Sequence, residues 1–235
     1  MAGTVVLIPA RMESTRLPGK PLADICGRSM ILRVLDGASR ANPGRLAVAT
    51  DSRRIEEEVL SAGYEAVFTG PAASGTQRVY MAWKALGCPG ERIINLQGDE
   101  PFIQPDWVEA LAGQDMHPNS VVTLAREVTA DSGASSSVVK VVMNSTGEAL
   151  YFSRSLIPWG ADFVFHHVGV YCFTPESICL CAGAPQGKLS LQERLEQLSW
   201  MENGVKITVI PGDWNAMGVD TPDDLEEARK WFRNY

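Results

Sequence analysis

Apolar and polar positions along this chain change period at regular intervals. Residues 4–8 are a short, mostly apolar run of the kind found in a strand buried on both faces. Residues 29–41 switch to helical spacing, with Ile31, Leu32, Leu35 and Ala38 on one side. Residues 45–50 read as a second strand. Asp51 and Ser52 then offer N-caps for a helix carrying Ile55, Val59 and Leu60, and Gly63 stands at its C′ position. A strand at 66–69, a helix at 76–86 and a strand at 92–97 continue the rhythm. This β-α-β-α-β alternation predicts parallel strands with helical crossovers, and therefore a ligand crevice beyond the carboxyl ends of the strands.

The middle of the chain loses that rhythm. Strands are predicted at 120–126 and 138–143, separated by a Ser/Gly-rich stretch at 131–137. Asn144-Ser145-Thr146-Gly147 is a turn signal, so 138–142 and 149–152 are expected to form a hairpin. A strand at 167–173 follows. A single helix is expected at 190–203 with Leu191, Leu195 and Leu198 on one side, then a strand at 205–210. The chain closes with a helix at 221–232, Thr221 at its N-cap and Pro222 at its first position. No repeat and no long linker interrupts the sequence. The pattern predicts one α/β domain over residues 1–235, three-layered α/β/α with a mostly parallel sheet, in which 120–173 is an antiparallel insertion.

Composition narrows the function. Among 235 residues, 45% are hydrophobic and 21% charged, the balance of a globular protein able to bury a full core. The net charge of −7 speaks against a nucleic-acid partner. Residues 11–20 nevertheless carry Arg11, Arg16 and Lys20 against Glu13 alone, a local concentration of cations that suits an anionic ligand. No apolar run reaches the length of a membrane span and no leader-like segment precedes the first strand, so a cytoplasmic protein is expected. The five cysteines (Cys26, Cys88, Cys172, Cys179, Cys181) lack the spacing of a zinc site and are expected to be free thiols.

The first strand delivers Pro9-Ala10-Arg11 and then Arg16-Leu17-Pro18-Gly19-Lys20-Pro21-Leu22, a basic loop stiffened by two prolines. It suits a polyphosphate, yet it has neither the P-loop spacing nor a G-x-G-x-x-G fingerprint. Gln97-Gly98-Asp99-Glu100 follows the strand at 92–97, placing a carboxylate at the same crevice, where Mg²⁺ would accept one or two protein oxygens. Asp220 lies just before the last helix. It gains meaning beside Asp99 as a second arm of a metal clamp, although acids near a helix start, such as Asp223 and Asp224, also answer to the helix dipole. Ser74-Gly75-Thr76-Gln77-Arg78 opens a helix with small polar residues and a cation, an anion-contact pattern. His166 and His167 occupy opposite faces of a strand, and Arg154 could grip a carboxylate bidentately.

These segments, with Ala49-Thr50-Asp51, Leu150-Tyr151-Phe152-Ser153-Arg154, Ile157-Pro158-Trp159, His167-Val168-Gly169-Val170-Tyr171, Leu195-Glu196-Gln197-Leu198 and Val219-Asp220-Thr221-Pro222, resemble the 3-deoxy-manno-octulosonate cytidylyltransferase (CMP-Kdo synthetase) family over nearly the whole chain. The resemblance implies a nucleotide-diphosphosugar transferase fold, a Mg²⁺-dependent homodimer, and CMP transfer from CTP to the acidic keto-deoxy sugar Kdo in lipopolysaccharide assembly. It places Pro9, Ala10, Arg11, Arg16, Lys20, Ser74, Gly75, Thr76 and Arg78 on the nucleotide, with Arg11, Lys20 and Asp99 catalytic. Asp99 and Asp220 would hold the metal, and Gln97, Arg154, His167, Tyr171, Glu196 and Gln197 the sugar. The chain departs from the family pattern at Met12, at Gln77 and Ser190 where acids are usual, and at Ser199 where arginine is usual. Those departures bear on sugar choice, with amino-Kdo or a nonulosonate as the alternative acceptor; a non-catalytic nucleotide-binding paralogue is the alternative of a different class.

Overall fold

Four apolar runs of the N-terminal half become strands β1 (Thr4–Ala10), β2 (Arg45–Thr50), β3 (Glu65–Phe68) and β4 (Arg92–Asn95), all parallel and ordered β3-β2-β1-β4. This computed structural model describes residues 1–14 and 16–234. Helices α1 (Met30–Ser39), α2 (Arg53–Ser61) and α3 (Gly75–Ala85) make the crossovers. β1 is buried along nearly its whole length, as a parallel strand covered on both faces must be. The predicted alternation is therefore present, with bounds shifted by a residue or two.

Two glycines shape the carboxyl ends of these strands. Gly19 adopts φ +70°, opening a 3₁₀ turn at Lys20–Leu22 in which Pro21 is buried. At Gly98 a Cβ would lie 3.0 Å from the Pro9 carbonyl oxygen, so a side chain there would push the segment after β4 away from the end of β1. The C-terminal helix α9 (Pro222–Asn234) belongs to the same unit, which comprises Met1–Glu109 and the residues from Asn215 on. Its anchor is Phe102, 2% exposed, which meets Trp231 edge-on at 4.9 Å and Phe232 at 5.3 Å, beside Met30, Val219 and Leu225. Burying one such phenylalanine contributes roughly 1.5–3 kcal/mol. The Val219 amide donates to the Asp99 carbonyl at 2.9 Å, which fixes Asp220 beside Asp99.

The second unit, Ala110–Trp214, is entered through α4 (Pro105–Ala112) and holds β5 (Ser120–Thr129), β6 (Lys140–Met143), β7 (Ala149–Ser153), β8 (Phe163–Phe173) and β9 (Lys206–Pro211). β5 pairs antiparallel with β8 and parallel with β9, while β6 joins β8 and the expected β6–β7 hairpin forms with Val141 opposite Phe152. Residues 110–214 thus form a compact unit that takes in the expected excursion at 120–173. The ladder from Val121↔Ile207 onward ties the residues up to β9 into this unit, which explains its greater length.

One difference concerns the helix expected at 190–203. It is two helices, α7 (Lys188–Glu193) and α8 (Glu196–Glu202), broken at Arg194, whose φ is +54°. The break turns Leu191 outward at 60% exposed while Leu195 and Leu198 are buried. The short helix α5 (Ala130–Gly133), together with α4 and α6 (Pro175–Gly183), was not anticipated, although Thr174 and Ser177 form a reciprocal capping box at the start of α6. On α6, Cys179 is exposed and Cys181 buried, and all five cysteines are free.

Candidate active site

The basic loop, the segment after β4 and the start of α9 converge on one cavity of about 900 Å³ in the N-terminal unit. Its lining includes Pro9, Ala10, Arg11, Arg16, Lys20, Ser74, Gly75, Arg78, Gln97, Asp99 and Asp220, with Glu13, Ser14, Ala72 and Ala73 added to those anticipated. At its centre the Lys20 ammonium donates to Asp99 Oδ2 at 2.5 Å and to Asp220 Oδ1 at 2.9 Å. Arg16 Nη2 meets the other Asp220 oxygen at 2.8 Å. Burial acts to lower the Lys20 pKa, but the two carboxylates outweigh it and hold the ammonium above its ordinary value. Burial likewise acts to raise Asp220, and Lys20 with Arg16 hold it below the usual carboxylate range. Arg11 is exposed on the lip of the cavity.

Among the described residues no group of three or more His, Cys, Asp or Glu side chains gathers as a metal cluster. Asp99 and Asp220 nonetheless fit Mg²⁺. Two carboxylates that already converge on one ammonium can converge on a hard cation, and Mg²⁺ completes its shell with phosphate oxygens and water.

The turn before α3 behaves partly as expected. Ser74 Oγ caps the helix by accepting the Gln77 amide at 3.1 Å, and Gln77 Oε1 accepts the Ala73 amide at 2.5 Å. Gln77 thus performs with a neutral carbonyl the capping that an acid would perform. Thr76 faces inward at 1% exposed and is not part of the lining. The Arg78 guanidinium touches the lining but is spent on protein partners: Asp51 Oδ2 at 2.6 Å, Thr69 Oγ1 at 3.0 Å and the Gly70 carbonyl at 3.1 Å.

In the second unit, His167 and Tyr171 belong to an aromatic cluster. His167 lies edge-on to Phe152 at 4.9 Å, and Tyr171 edge-on to Trp200 at 4.9 Å. Thr123 Oγ1 is 2.9 Å from His167 Nε2 and 2.7 Å from the Val170 carbonyl. A hydroxyl has one proton, and given to Val170 it leaves Nε2–H to donate and Nδ1 as the acceptor. Burial, aided by His166, pushes the His167 pKa down to about 3, so the ring is neutral at physiological pH. Burial, with Glu196 adding to it, pushes the Tyr171 phenol up, so it keeps its proton. Gln197 is 4% exposed and Glu196 is half-buried at the start of α8.

Arg154 is positioned from two sides. Its Nε donates to the Glu193 carbonyl at 2.9 Å and its Nη1 to the Ser136 carbonyl at 2.9 Å. Its backbone is fixed by two residues that the motifs do not include, Lys140 and Glu193. A lone lysine within the apolar run Val138-Val139-Lys140-Val141-Val142 was the available signal, because a buried lysine must find partners.

Residues 5–207 match the family model described as Cytidylyltransferase. The 3-deoxy-manno-octulosonate cytidylyltransferase of Anaeromyxobacter dehalogenans strain 2CP-C is 44% identical over 97% of each chain. That of Bradyrhizobium sp. strain BTAi1 is 45% identical over 96% of each. The solved structure of a CMP:2-keto-3-deoxy-manno-octonic acid synthetase complexed with CTP superposes with a TM-score of 0.91, at 37% identity and 98% coverage of both chains. A nucleotidyl transferase from Methanothermobacter, 15% identical with a TM-score of 0.66 over 98% of both chains, shares the fold alone.

Proposed function

The chain belongs to the cytidylyltransferase family, and from that premise we propose that it transfers CMP from CTP to Kdo, releasing pyrophosphate and supplying CMP-Kdo for lipopolysaccharide assembly. The observation that carries this reading is the convergence of Arg16, Lys20, Asp99 and Asp220 in a cavity large enough for a nucleoside triphosphate. The anomeric hydroxyl of the sugar attacks the α-phosphorus, a new O–P bond forms, and the bond to the β-phosphate oxygen breaks in line. Such a reaction depends on positioning and charge neutralisation more than on covalent chemistry. Arg11 and Arg16 bind the triphosphate, and Lys20 offsets charge gathering at the α-phosphate. Asp99 and Asp220 would hold Mg²⁺, which when bound supplies Lewis-acid neutralisation and lowers the pKa of a coordinated hydroxyl. Ser74 and Gly75 meet the nucleotide at the start of α3. In the second unit, the guanidinium of Arg154 takes the sugar carboxylate. His167, Tyr171, Glu196 and Gln197 of the same unit are the further residues proposed for the sugar.

Pyrophosphate release should be measured with CTP against Kdo, amino-Kdo and a nonulosonate. Kdo is expected to turn over fastest. Turnover of another acid with none of Kdo would replace the acceptor, and no release with any of them would leave a nucleotide-binding protein. The free thiols suit a reducing compartment, which supports the cytoplasm as the place of action, and no helix of the described residues is long and apolar enough to cross a membrane.

A homodimer formed through the second unit is also proposed. Leu150 (59% exposed), Trp159 (98%) and Phe163 (57%) stand out of the segment from β7 to β8, and exposed apolar side chains of this size mark contact surfaces. Trp159→Glu is expected to convert the protein to a monomer in sedimentation velocity. An unchanged sedimentation coefficient would remove this surface from the interface.

A further inference from the structure

We infer that Glu193 and Lys140 are positioning residues that hold Arg154 with its charge unspent, ready for the carboxylate of the acid sugar. The inference rests on the reading of Arg154 given above. Each polar atom of Arg154 is held in place, though not every N–H is used. Its amide donates to Glu193 Oε2 at 2.8 Å, and its carbonyl accepts from Lys140 Nζ at 2.6 Å. Its guanidinium donates through Nε to the Glu193 carbonyl, through Nη1 to the Ser136 carbonyl and through Nη2 to the Arg194 carbonyl at 3.4 Å. All three guanidinium contacts are neutral carbonyls, and among the described residues no carboxylate forms an ion pair with it. The group is therefore aimed without being neutralised. Three of its five N–H donors are engaged, leaving two for an incoming anion.

The supports are themselves saturated. Lys140 is 0% exposed, and its ammonium donates to the carbonyls of Ser135 (3.1 Å), Val138 (2.7 Å) and Arg154. With all three protons used it has none for a substrate; burial lowers its pKa, the Glu193 carboxylate acts against that, and the Arg154 charge adds to it. It closes a ring: the loop that Lys140 ties to the end of β7 also supplies the Ser136 carbonyl that orients Arg154. Glu193 accepts from Ser153 Oγ at 2.7 Å as well as from the Arg154 amide. The break after α7 serves the same arrangement, because the helix end frees the Glu193 and Arg194 carbonyls that the guanidinium binds. Gln97 aside, the expected sugar residues also belong to this unit, so the support is local to them.

The test is steady-state kinetics of pyrophosphate release with Kdo and CTP varied separately. Glu193→Ala and Lys140→Met are each expected to raise KM for Kdo by about 10- to 100-fold, leaving KM for CTP within about 3-fold, since a displacement of about 1 Å costs that much. Glu193→Gln should restore near-normal KM for Kdo, because its amide can accept from the Arg154 N–H and donate to the rotatable Ser153 hydroxyl. Arg154→Ala should raise KM for Kdo at least as far, and adding Glu193→Ala to it should change KM for Kdo no further. If Arg154→Ala leaves KM for Kdo unmoved, the reading of Arg154 fails. If Arg154→Ala raises it while Glu193→Ala and Lys140→Met do not, the positioning inference fails by itself. Equal damage to both KM values would also overturn it, by marking a merely structural role. Should Glu193→Ala unfold, Glu193→Asp, which retracts the carboxylate by one methylene, carries the same test.

Discussion

Asp99→Asn is expected to lower kcat for CMP transfer by about 10³-fold or more, on the order of 4 kcal/mol in activation free energy. Asn preserves the shape and one oxygen of Asp99, so the loss measures charge. In the protein, Asp99 meets the Lys20 ammonium at 2.5 Å and lies beside Asp220, joined through the same lysine. Removing its charge takes away one of the two carboxylates able to hold Mg²⁺ and leaves Lys20 with Asp220 alone. The fold should survive, because Asp99 is partly open to solvent at 30% exposure, where an ion pair contributes little stability. Pyrophosphate release at saturating CTP and Kdo, with a thermal melt as control, reads the result. A kcat within about 3-fold of the unsubstituted protein, at unchanged melting temperature, would remove Asp99 from the reaction. Asp220→Asn should fall in the same direction. Its loss also releases Arg16, so part of that effect should be seen in KM for CTP.

The parts of this site that the sequence made legible are those fixed by the backbone. β1 reads as a buried run because both its faces are covered, and the loop that follows must emerge at its carboxyl end. Asp99 follows from the same logic after β4. Asp220 was harder, because acids near a helix start have a bland explanation. What brings it to Asp99 is the packing of Phe102 against Trp231 and Phe232, a contact between residues over a hundred positions apart. The break between α7 and α8 was invisible for a related reason. Leu191, Leu195 and Leu198 keep a helical period through it, while the carbonyls it frees are satisfied by Arg154, some forty residues earlier. Periodicity reports which residues are apolar. It does not report which distant donor will take a helix end. Thr76 shows the converse limit, for a polar first turn reads the same whether its side chains face a ligand or the protein's interior.

Arg78 supplies the largest expected effect on stability. It lines the cavity, as a nucleotide contact must, and it is also 3% exposed and joins three segments at the carboxyl edge of the sheet. From α3 its guanidinium reaches Asp51, just past β2, and Thr69 with Gly70, just past β3. Arg78→Met keeps the stem and removes the donors, stranding the Asp51 carboxylate and the Gly70 carbonyl. Breaking a fully buried pair costs about 3–5 kcal/mol, and because Asp51 is 31% exposed the lower end applies, about 3 kcal/mol. For a chain of this length that corresponds to a fall in Tm of roughly 6–12 °C. Much of the cost is the charge left behind, so adding Asp51→Asn should recover part of it. KM for CTP should rise only modestly, through loosening of the Ser74–Gly75 turn that α3 carries. A shift in Tm below about 2 °C with a KM for CTP raised more than about 10-fold would reverse the assignment. The guanidinium would then leave Asp51 for the nucleotide, and Arg78 would belong with Arg11 and Arg16 instead of with the loops it joins.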